Sequence, residues 1–161
     1  MHRRTFALGL LALSALAACA PREVDPAART TVILLRHADR AGEILNAQGE
    51  ARAANLSLAL GDYSLDAIYS PDIARNLQTA EPLSQARGLP ITIIPKERAG
   101  ARMTRDRPEG TVVWVGNKGN LRTIWAELGA PGMAPQEYGE IGVLTLRPGR
   151  TPEVARLQVR P

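Results

Sequence analysis

The sequence predicts an α/β fold, a three-layer α/β/α sandwich built on a mostly parallel sheet. Short apolar runs rich in valine and isoleucine alternate with longer helical segments from residue 31 onward, and this order is typical of β-α-β units. The first run, residues 31–35, is apolar on both faces, as expected of a central parallel strand covered by helices on two sides. A length of 161 residues is enough for one such domain.

The first strand is followed by a predicted loop over residues 37–45. Asn46 is a suitable N-cap for a helix over residues 47–60, which a Gly-Asp pair ends. The other strands and helices are predicted, in chain order, as strand 67–69, helix 73–87, strand 91–94, strand 111–115, helix 120–128 and a terminal pair of strands at 143–147 and 154–159. Two connections lack periodicity and are predicted to be irregular: residues 95–110 and 131–140.

Residues 1–18 have the layout of a secretory signal peptide. Arg3 and Arg4 give a short positive region, and the apolar stretch that follows is shorter than the ~20 residues that span a membrane comfortably. The sequence LAAC at 16–19 resembles the lipobox of bacterial lipoproteins. In that family the peptide is cut before the cysteine, which is then lipidated.

Cys19 is the only cysteine, so it cannot form an intramolecular disulfide, and lipidation explains a lone thiol in an exported protein. The lipoprotein resemblance implies three acyl chains on Cys19, which anchor firmly because each buried CH₂ contributes ~0.8 kcal/mol. Ala20 in place of Asp at the next position implies the periplasmic face of the outer membrane. The alternative is an ordinary signal peptide with a chance cysteine. The domain then covers residues 31–161, joined to the anchor by a tether at 19–30.

Charge and motifs exclude several classes of function. Loss of Arg3 and Arg4 with the leader lowers the formal charge from +4 to +2, and the chain has no Lys/Arg run and no basic helix with interleaved aromatics. We therefore expect no nucleic-acid partner. The Gly-x-Gly-x-x-Gly, Walker A, Gly-x-Ser-x-Gly and His-Glu-x-x-His motifs are also absent. Since no cluster of metal-ligating residues is present either, we expect neither a cofactor nor a metal.

Four segments follow a predicted strand or open a helix at the carboxyl edge of the sheet, where ligands of open α/β sheets bind. They are 36–37, 46–53, 70–80 and 116–119. Arg36 and Arg75 can hold one tetrahedral oxyanion through bidentate hydrogen bonds. His37 beside them can act as a nucleophile without deprotonation if its other ring nitrogen is fixed by a backbone carbonyl. A helix N-terminus after residue 116 also favours anions, so the pattern indicates phosphoryl transfer through a phosphohistidine.

The order and the amino-acid sequences of these segments resemble the motifs of the histidine phosphatase superfamily, which includes phosphoglycerate mutase. The sequence LRHADR at 35–40 is similar to the Arg-His-Ala-Glu-Lys variant found in small members. The sequence LNAQG at 45–49 looks like the Leu-Thr-x-x-Gly helix opener of the family, and an Arg-Ala pair follows at 52–53.

Two later segments extend the resemblance to about residues 31–129. The sequence IYS at 68–70, then Arg75, then QTAEPL at 78–83 is similar to the segment that carries the second catalytic arginine. Residues 113–128 resemble the Val-Val-Gly-His-Ser segment and the helix after it.

The resemblance implies a histidine phosphatase-like fold and a role for each matching residue. His37 would take the phosphoryl group, and Arg36 and Arg75 would hold its oxygens. Arg40 and Ser70 would lie at the edge of the pocket. The implied ligand is a phosphorylated small molecule or a phosphate anion.

One position departs from the family pattern. Asn117 stands where the family has its second histidine, and the only other histidine, His2, lies in the leader. Asn117 can still donate one hydrogen bond to a substrate, although it carries no charge; alternatively it caps the helix that follows. Loss of one preorganised donor elsewhere costs ~10²–10³ in rate. Lys118 adjoins it, but its side chain should point elsewhere on the turn.

Residues 95–110 are a second departure. The family usually has a helix here and often the acid that protonates the leaving group. The carboxylates in this segment are Glu97, Asp106 and Glu109, and nothing in the sequence selects one of them. Glu97 and Asp106 are interpreted as surface charges, and so is Glu43 in the first loop.

Two functions stay open at this point. An envelope-anchored phosphomonoesterase is favoured by the presence of Arg36, His37 and Arg75. Its activity would be weakened by the absence of the second histidine. Asn117 and the short 95–110 segment instead favour a non-catalytic phosphate-binding or protein-interaction module with the same fold.

Overall fold

A six-stranded sheet lies at the centre of the computed structural model, which describes residues 24–25 and 27–161. Its strands are β1 (Thr31–Arg36), β4 (Ala67–Ser70), β5 (Ile91–Ile93), β6 (Thr111–Gly116), β7 (Glu140–Thr145) and β8 (Glu153–Gln158). A separate hairpin is formed by β2 (Arg40–Ala41) and β3 (Ile44–Leu45).

The strand order across the sheet is β5-β4-β6-β1-β7-β8. The first four of these strands are parallel to one another, whereas β7 runs antiparallel to β1 and β8 antiparallel to β7. The prediction of an α/β fold with a mostly parallel sheet is therefore confirmed. Because β7 is reversed, the carboxyl end of β1 lies beside the beginning of β7.

Helices cover both faces of the sheet. They are α1 (Ala47–Ala54), α2 (Leu56–Ala59), α3 (Ala74–Arg87), α4 (Ala99–Asp106) and α5 (Lys118–Glu127). Alternate residues of β1 feed two separate cores, with Ile33 and Leu35 on the α1–α3 side and Val32 and Leu34 on the α4–α5 side. Burial of each such side chain contributes about 1.5–3 kcal/mol, and the two cores confirm the three-layer arrangement.

The prediction that residues 95–110 are irregular is wrong, because α4 forms within them. Ala99 and Met103 are completely buried. The Glu127 carboxylate, on α5, accepts hydrogen bonds from the N–H groups of Gly100 and Ala101 at 3.0 and 2.9 Å. These are two of the N–H groups that a helix start leaves without an intrahelical partner. A cap supplied from 26 residues away leaves no local signal in the sequence.

Three boundaries also differ from the prediction. The helix expected over residues 47–60 is divided at Asn55, whose side chain donates to the Arg160 carbonyl oxygen at 3.2 Å. The last helix begins at Lys118, because Asn117 is its N-cap. The loop predicted over 37–45 contains the β2–β3 hairpin, and Gly42 adopts a φ of +65° at its turn, which glycine adopts without steric cost.

The end of the predicted tether packs on the domain. Ala28 and Thr30 are buried, and the Thr30 hydroxyl donates to the Arg107 carbonyl oxygen at 2.8 Å. The predicted leader and, within the tether, residues 19–23, which include Cys19, and residue 26 lie outside the described residues. No helix in the described part of the chain is long and apolar enough to cross a membrane.

Candidate active site

His37 directly follows β1 and is almost completely buried, with 2% of its surface exposed. Its Nδ1 lies 2.9 Å from the carbonyl oxygen of Ala38. Since a carbonyl oxygen can only accept, Nδ1 carries the proton of the neutral ring and Nε2 keeps its lone pair. The backbone holds the ring in place, because the N–H of His37 donates to Gly116 and the N–H of Ala38 donates to the Thr79 hydroxyl.

Burial and three arginines keep the imidazole of His37 neutral. Burial is the largest cause, and the positive charges of Arg36, Arg75 and Arg40 act in the same direction. Together they outweigh the hydrogen bond to Ala38 and lower the pKa of His37 from 6.5 to about 4. The ring is therefore uncharged at neutral pH and can act as a nucleophile. The structure brings together the imidazole and the two arginines that the sequence predicted.

We expect the free energy of unfolding to fall by up to about 3 kcal/mol as the pH is lowered from 6.5 to about 4. In the unfolded chain His37 binds a proton near pH 6.5, whereas the folded protein resists protonation down to about 4. Protonation therefore favours the unfolded state throughout this window. Urea unfolding at a series of pH values should show this slope, and His37→Gln should flatten it; parallel curves for the two proteins would contradict it.

Arg36 is held against the loop that precedes β7. Its Nη1 and Nη2 donate to the Gln136 carbonyl oxygen at 3.3 Å and to the Tyr138 hydroxyl at 3.1 Å. The guanidinium also lies 3.9 Å from the centre of the Tyr138 ring, and that ring is 5.8 Å from the imidazole of His37. Tyr138 thus belongs to the site, although nothing in the sequence of residues 131–140 indicated it.

Arg75 lies in the first turn of α3 and is largely buried. Its Nη1 donates to the carboxylate of Glu43, which is at the tip of the β2–β3 hairpin. Glu43 is therefore an ion-pair partner of a site arginine, and its interpretation as a plain surface charge was incomplete.

Several buried donors at this edge have no hydrogen-bond partner within the described residues. They are Nε of Arg36, Nε of Arg75, Nδ2 of Asn76 and Nδ2 of Asn120, against one unpaired acceptor, Oδ1 of Asn76. A buried polar group without a partner costs about 1–3 kcal/mol. An excess of unpaired donors beside three positive charges is the environment that an oxyanion would satisfy.

A buried ion pair supports the loop behind His37. Nε of Arg52 donates to the Asp39 carboxylate at 2.6 Å, and Nη1 of Arg52 donates to the Val159 carbonyl oxygen at 2.6 Å. Burial alone would raise the pKa of Asp39, but the hydrogen bond and charge of Arg52 hold it below its usual range. Gly49 fits against this loop only without a side chain, because a Cβ there would lie 2.0 Å from the Asp39 carbonyl oxygen.

The predicted edge residues take different positions. Arg40 is exposed and donates to the Gly42 carbonyl oxygen in its own turn, while its charge still acts on His37. Ser70 is completely buried, and its hydroxyl donates to the Pro71 carbonyl oxygen at 2.9 Å. Substrate binding by either residue stays a prediction, and the burial of Ser70 does not favour it.

Asn117 caps α5. Its Oδ1 accepts from the N–H groups of Gly119 and Asn120 at 3.1 and 3.2 Å, and Oδ1 of Asn120 accepts from the N–H of Asn117 at 3.0 Å. The Lys118 ammonium pairs with Glu137 at 3.1 Å and is not among the charges that lower the pKa of His37. Whether Asn117 also binds substrate stays a prediction. In the described part of the chain, no three His, Cys, Asp or Glu side chains are grouped closely enough to hold a metal ion.

Comparison with known proteins agrees with this geometry. Residues 31–98 match the model of the histidine phosphatase superfamily, branch 1. The fold is similar to that of the protein histidine phosphatase SixA complexed with tungstate, at 19% identity and a TM-score of 0.64, covering 80% of this chain and 96% of that one. The α-ribazole phosphatase from Shigella flexneri is also similar, at 19% identity and a TM-score of 0.66, with coverage of 81% and 96%.

A third similar structure is the mycobacterial glucosyl-3-phosphoglycerate phosphatase with inorganic phosphate, at 17% identity and a TM-score of 0.56, with coverage of 81% and 96%. No curated protein sequence matches the chain. At these identities the solved structures establish the fold alone, whereas the matched segment contains Arg36, His37 and Arg75. Residues 31–98 are therefore similar to the histidine phosphatase superfamily, branch 1, and the domain shares the fold of these solved phosphatases.

Proposed function

We propose that the protein is a phosphomonoesterase that transfers the phosphoryl group of its substrate to Nε2 of His37. The observation that carries this proposal is the buried, neutral imidazole, whose Nδ1 is fixed by the Ala38 carbonyl oxygen while three arginine charges act on the ring. Arg36 and Arg75 hold the phosphoryl oxygens through hydrogen bonds that include their unpaired Nε groups. Water then hydrolyses the phosphohistidine and releases inorganic phosphate.

The test is hydrolysis of p-nitrophenyl phosphate by protein that lacks residues 1–18. Release of p-nitrophenol above the buffer blank, inhibited by vanadate, supports a phosphomonoesterase. Similar structures contain tungstate, inorganic phosphate or VO3, and vanadate is therefore a reasonable probe of this pocket.

A second candidate is a non-catalytic module that binds phosphate or a phosphorylated partner. The observation that favours it is the use of the Asn117 Oδ1 to cap α5, which leaves no charge where the family has its second histidine. Such a module would show a higher melting temperature in phosphate or vanadate, because a ligand that binds only the folded state stabilises it. It would show this stabilisation without any turnover.

Attachment to the periplasmic face of the outer membrane through lipidated Cys19 is part of the proposal. The LAAC sequence before residue 20 and the absence of any other cysteine support it. In cells that express the full chain, Cys19→Ala should move the protein out of the membrane fraction and abolish its labelling by a palmitate analogue. Unchanged fractionation and labelling would contradict lipid anchoring.

A further inference from the structure

The β2–β3 hairpin places a carboxylate directly against a phosphate-binding arginine. Glu43 accepts a hydrogen bond from Arg75, and its side chain is 79% exposed. The tight turn at Gly42 and the hydrogen bond from Arg40 to Gly42 hold this tip beside the pocket. Within the described residues, Glu43 is the only carboxylate that forms an ion pair with one of the three arginines acting on His37.

The in-line geometry of phosphoryl transfer favours a role for this carboxylate in the reaction. The attacking and leaving atoms lie roughly in line on opposite sides of phosphorus. His37 is buried at the base of the site, so the leaving oxygen of a bound substrate faces outward. Glu43 is exposed and pairs with Arg75, the arginine that would hold the phosphoryl oxygens, so it can reach a leaving oxygen that faces solvent.

The carboxylates of residues 95–110 are poorly placed for the same task. Asp106 ends α4, and Glu109 precedes β6, so both lie at the edge of the sheet opposite His37. Glu97 follows β5, which is three strands away from β1, or about 14 Å at the usual strand spacing.

The other carboxylates near His37 are engaged in hydrogen bonds or ion pairs elsewhere. Asp39 is buried against Arg52. The Glu140 carboxylate accepts from the N–H groups of Gln136 and Glu137, which lower its pKa and disfavour the protonated form. Glu137 is exposed and pairs with Lys118, which does not act on the imidazole.

We propose that Glu43 is the catalytic acid that protonates the leaving oxygen, an inference that rests on the phosphomonoesterase function proposed above. A phosphomonoester dianion that binds Arg75 takes the ion-pair partner of Glu43 and brings negative charge beside it. Both changes favour the protonated carboxyl group, because like charges repel.

The chemical steps follow from this arrangement. The lone pair of His37 Nε2 forms a bond to phosphorus while the ester P–O bond breaks, and the leaving oxygen takes the Glu43 proton to give an alcohol. The Glu43 carboxylate then removes a proton from water as the water oxygen attacks phosphorus. The P–N bond breaks, its electron pair returns to Nε2, and inorganic phosphate leaves. Proton donation matters most for alkoxide leaving groups, so the substrate class is phosphomonoesters of aliphatic alcohols.

The experiment compares two substrates with the full chain purified in detergent. p-Nitrophenolate is a stable leaving group that needs little protonation, whereas the alkoxide released from glycerol phosphate requires it. Because kcat/KM reports the steps up to the first irreversible one, it isolates transfer to His37 from later hydrolysis. Glu43→Gln should lower kcat/KM for glycerol phosphate by about 10²–10³, within the range of general acid catalysis, and lower that for p-nitrophenyl phosphate far less.

Two further variants make the result specific. Glu43→Asp keeps a carboxyl group and should recover most of the lost activity toward glycerol phosphate. Glu137→Gln removes another exposed carboxylate near this edge and should leave kcat/KM for both substrates unchanged. The assignment of Glu43 would be overturned if Glu43→Gln changed kcat/KM by the same factor for both substrates. It would also be overturned if the wild-type chain hydrolysed only the aryl ester. A wild-type chain without turnover on either substrate would instead overturn the proposed function itself.

Discussion

The His37→Ala variant is expected to release no p-nitrophenol above the buffer blank, under conditions in which the wild-type protein turns over. The variant removes Nε2, the atom whose lone pair forms the bond to phosphorus. Water alone would have to attack the ester, so the loss should exceed about 10³.

Binding of vanadate separates a catalytic defect from a folding defect in this variant. Arg36 and Arg75 remain, so vanadate should still raise the melting temperature of His37→Ala. A second readout is the covalent intermediate, which alkaline quenching preserves: the wild-type protein should carry label from ³²P-labelled substrate, and the variant should not. Turnover by a folded His37→Ala protein at the wild-type rate would show that the phosphohistidine mechanism is wrong.

The Asn117→His variant is expected to raise kcat/KM for p-nitrophenyl phosphate by about 10²–10³. Arg36 pairs with Gly116 in the β1–β6 ladder, so the next residues, His37 and Asn117, lie side by side at the edge of the sheet. An imidazole at Asn117 adds a donor that can carry charge close to the phosphoryl group. Histidine does not replace the asparagine cap, so α5 should be destabilised by about 1 kcal/mol.

Lys118→His is the matched control for that gain. It places the same side chain one residue further along the chain, where the native lysine pairs with Glu137 and does not act on the imidazole of His37. We expect Lys118→His to leave turnover unchanged. If both substitutions have the same effect, the position of residue 117 has no special importance. If Asn117→His increases vanadate binding alone, the non-catalytic module is the better description.

Local patterns in the sequence were enough to predict the first strand and the residues at its end. The apolar run of β1, which ends at Arg36 and is followed by His37, predicts a central strand. It also predicts the edge of the sheet at which these two side chains lie. Arg75 was predicted because it follows the next strand, and the parallel arrangement of β1, β6 and β4 brings it to the same edge.

The parts that were missed depend on contacts between distant residues. The start of α4 is capped by Glu127 from another helix. Tyr138 reaches His37 only because β7 is antiparallel to β1, and Glu43 reaches Arg75 only because a short hairpin folds back over α3. Local propensity and periodicity do not encode such pairings, which the tertiary fold creates.

The direction of β1 also decides which way the pocket would point on a cell. The chain enters the domain at the edge opposite His37, where Val24 and Ala28 pack in the same core as Leu128 and Leu146. The six residues of β1 then carry it about 20 Å to the pocket. For a chain held by lipids on Cys19, this polarity turns the entrance away from the bilayer, toward solutes in the surrounding water.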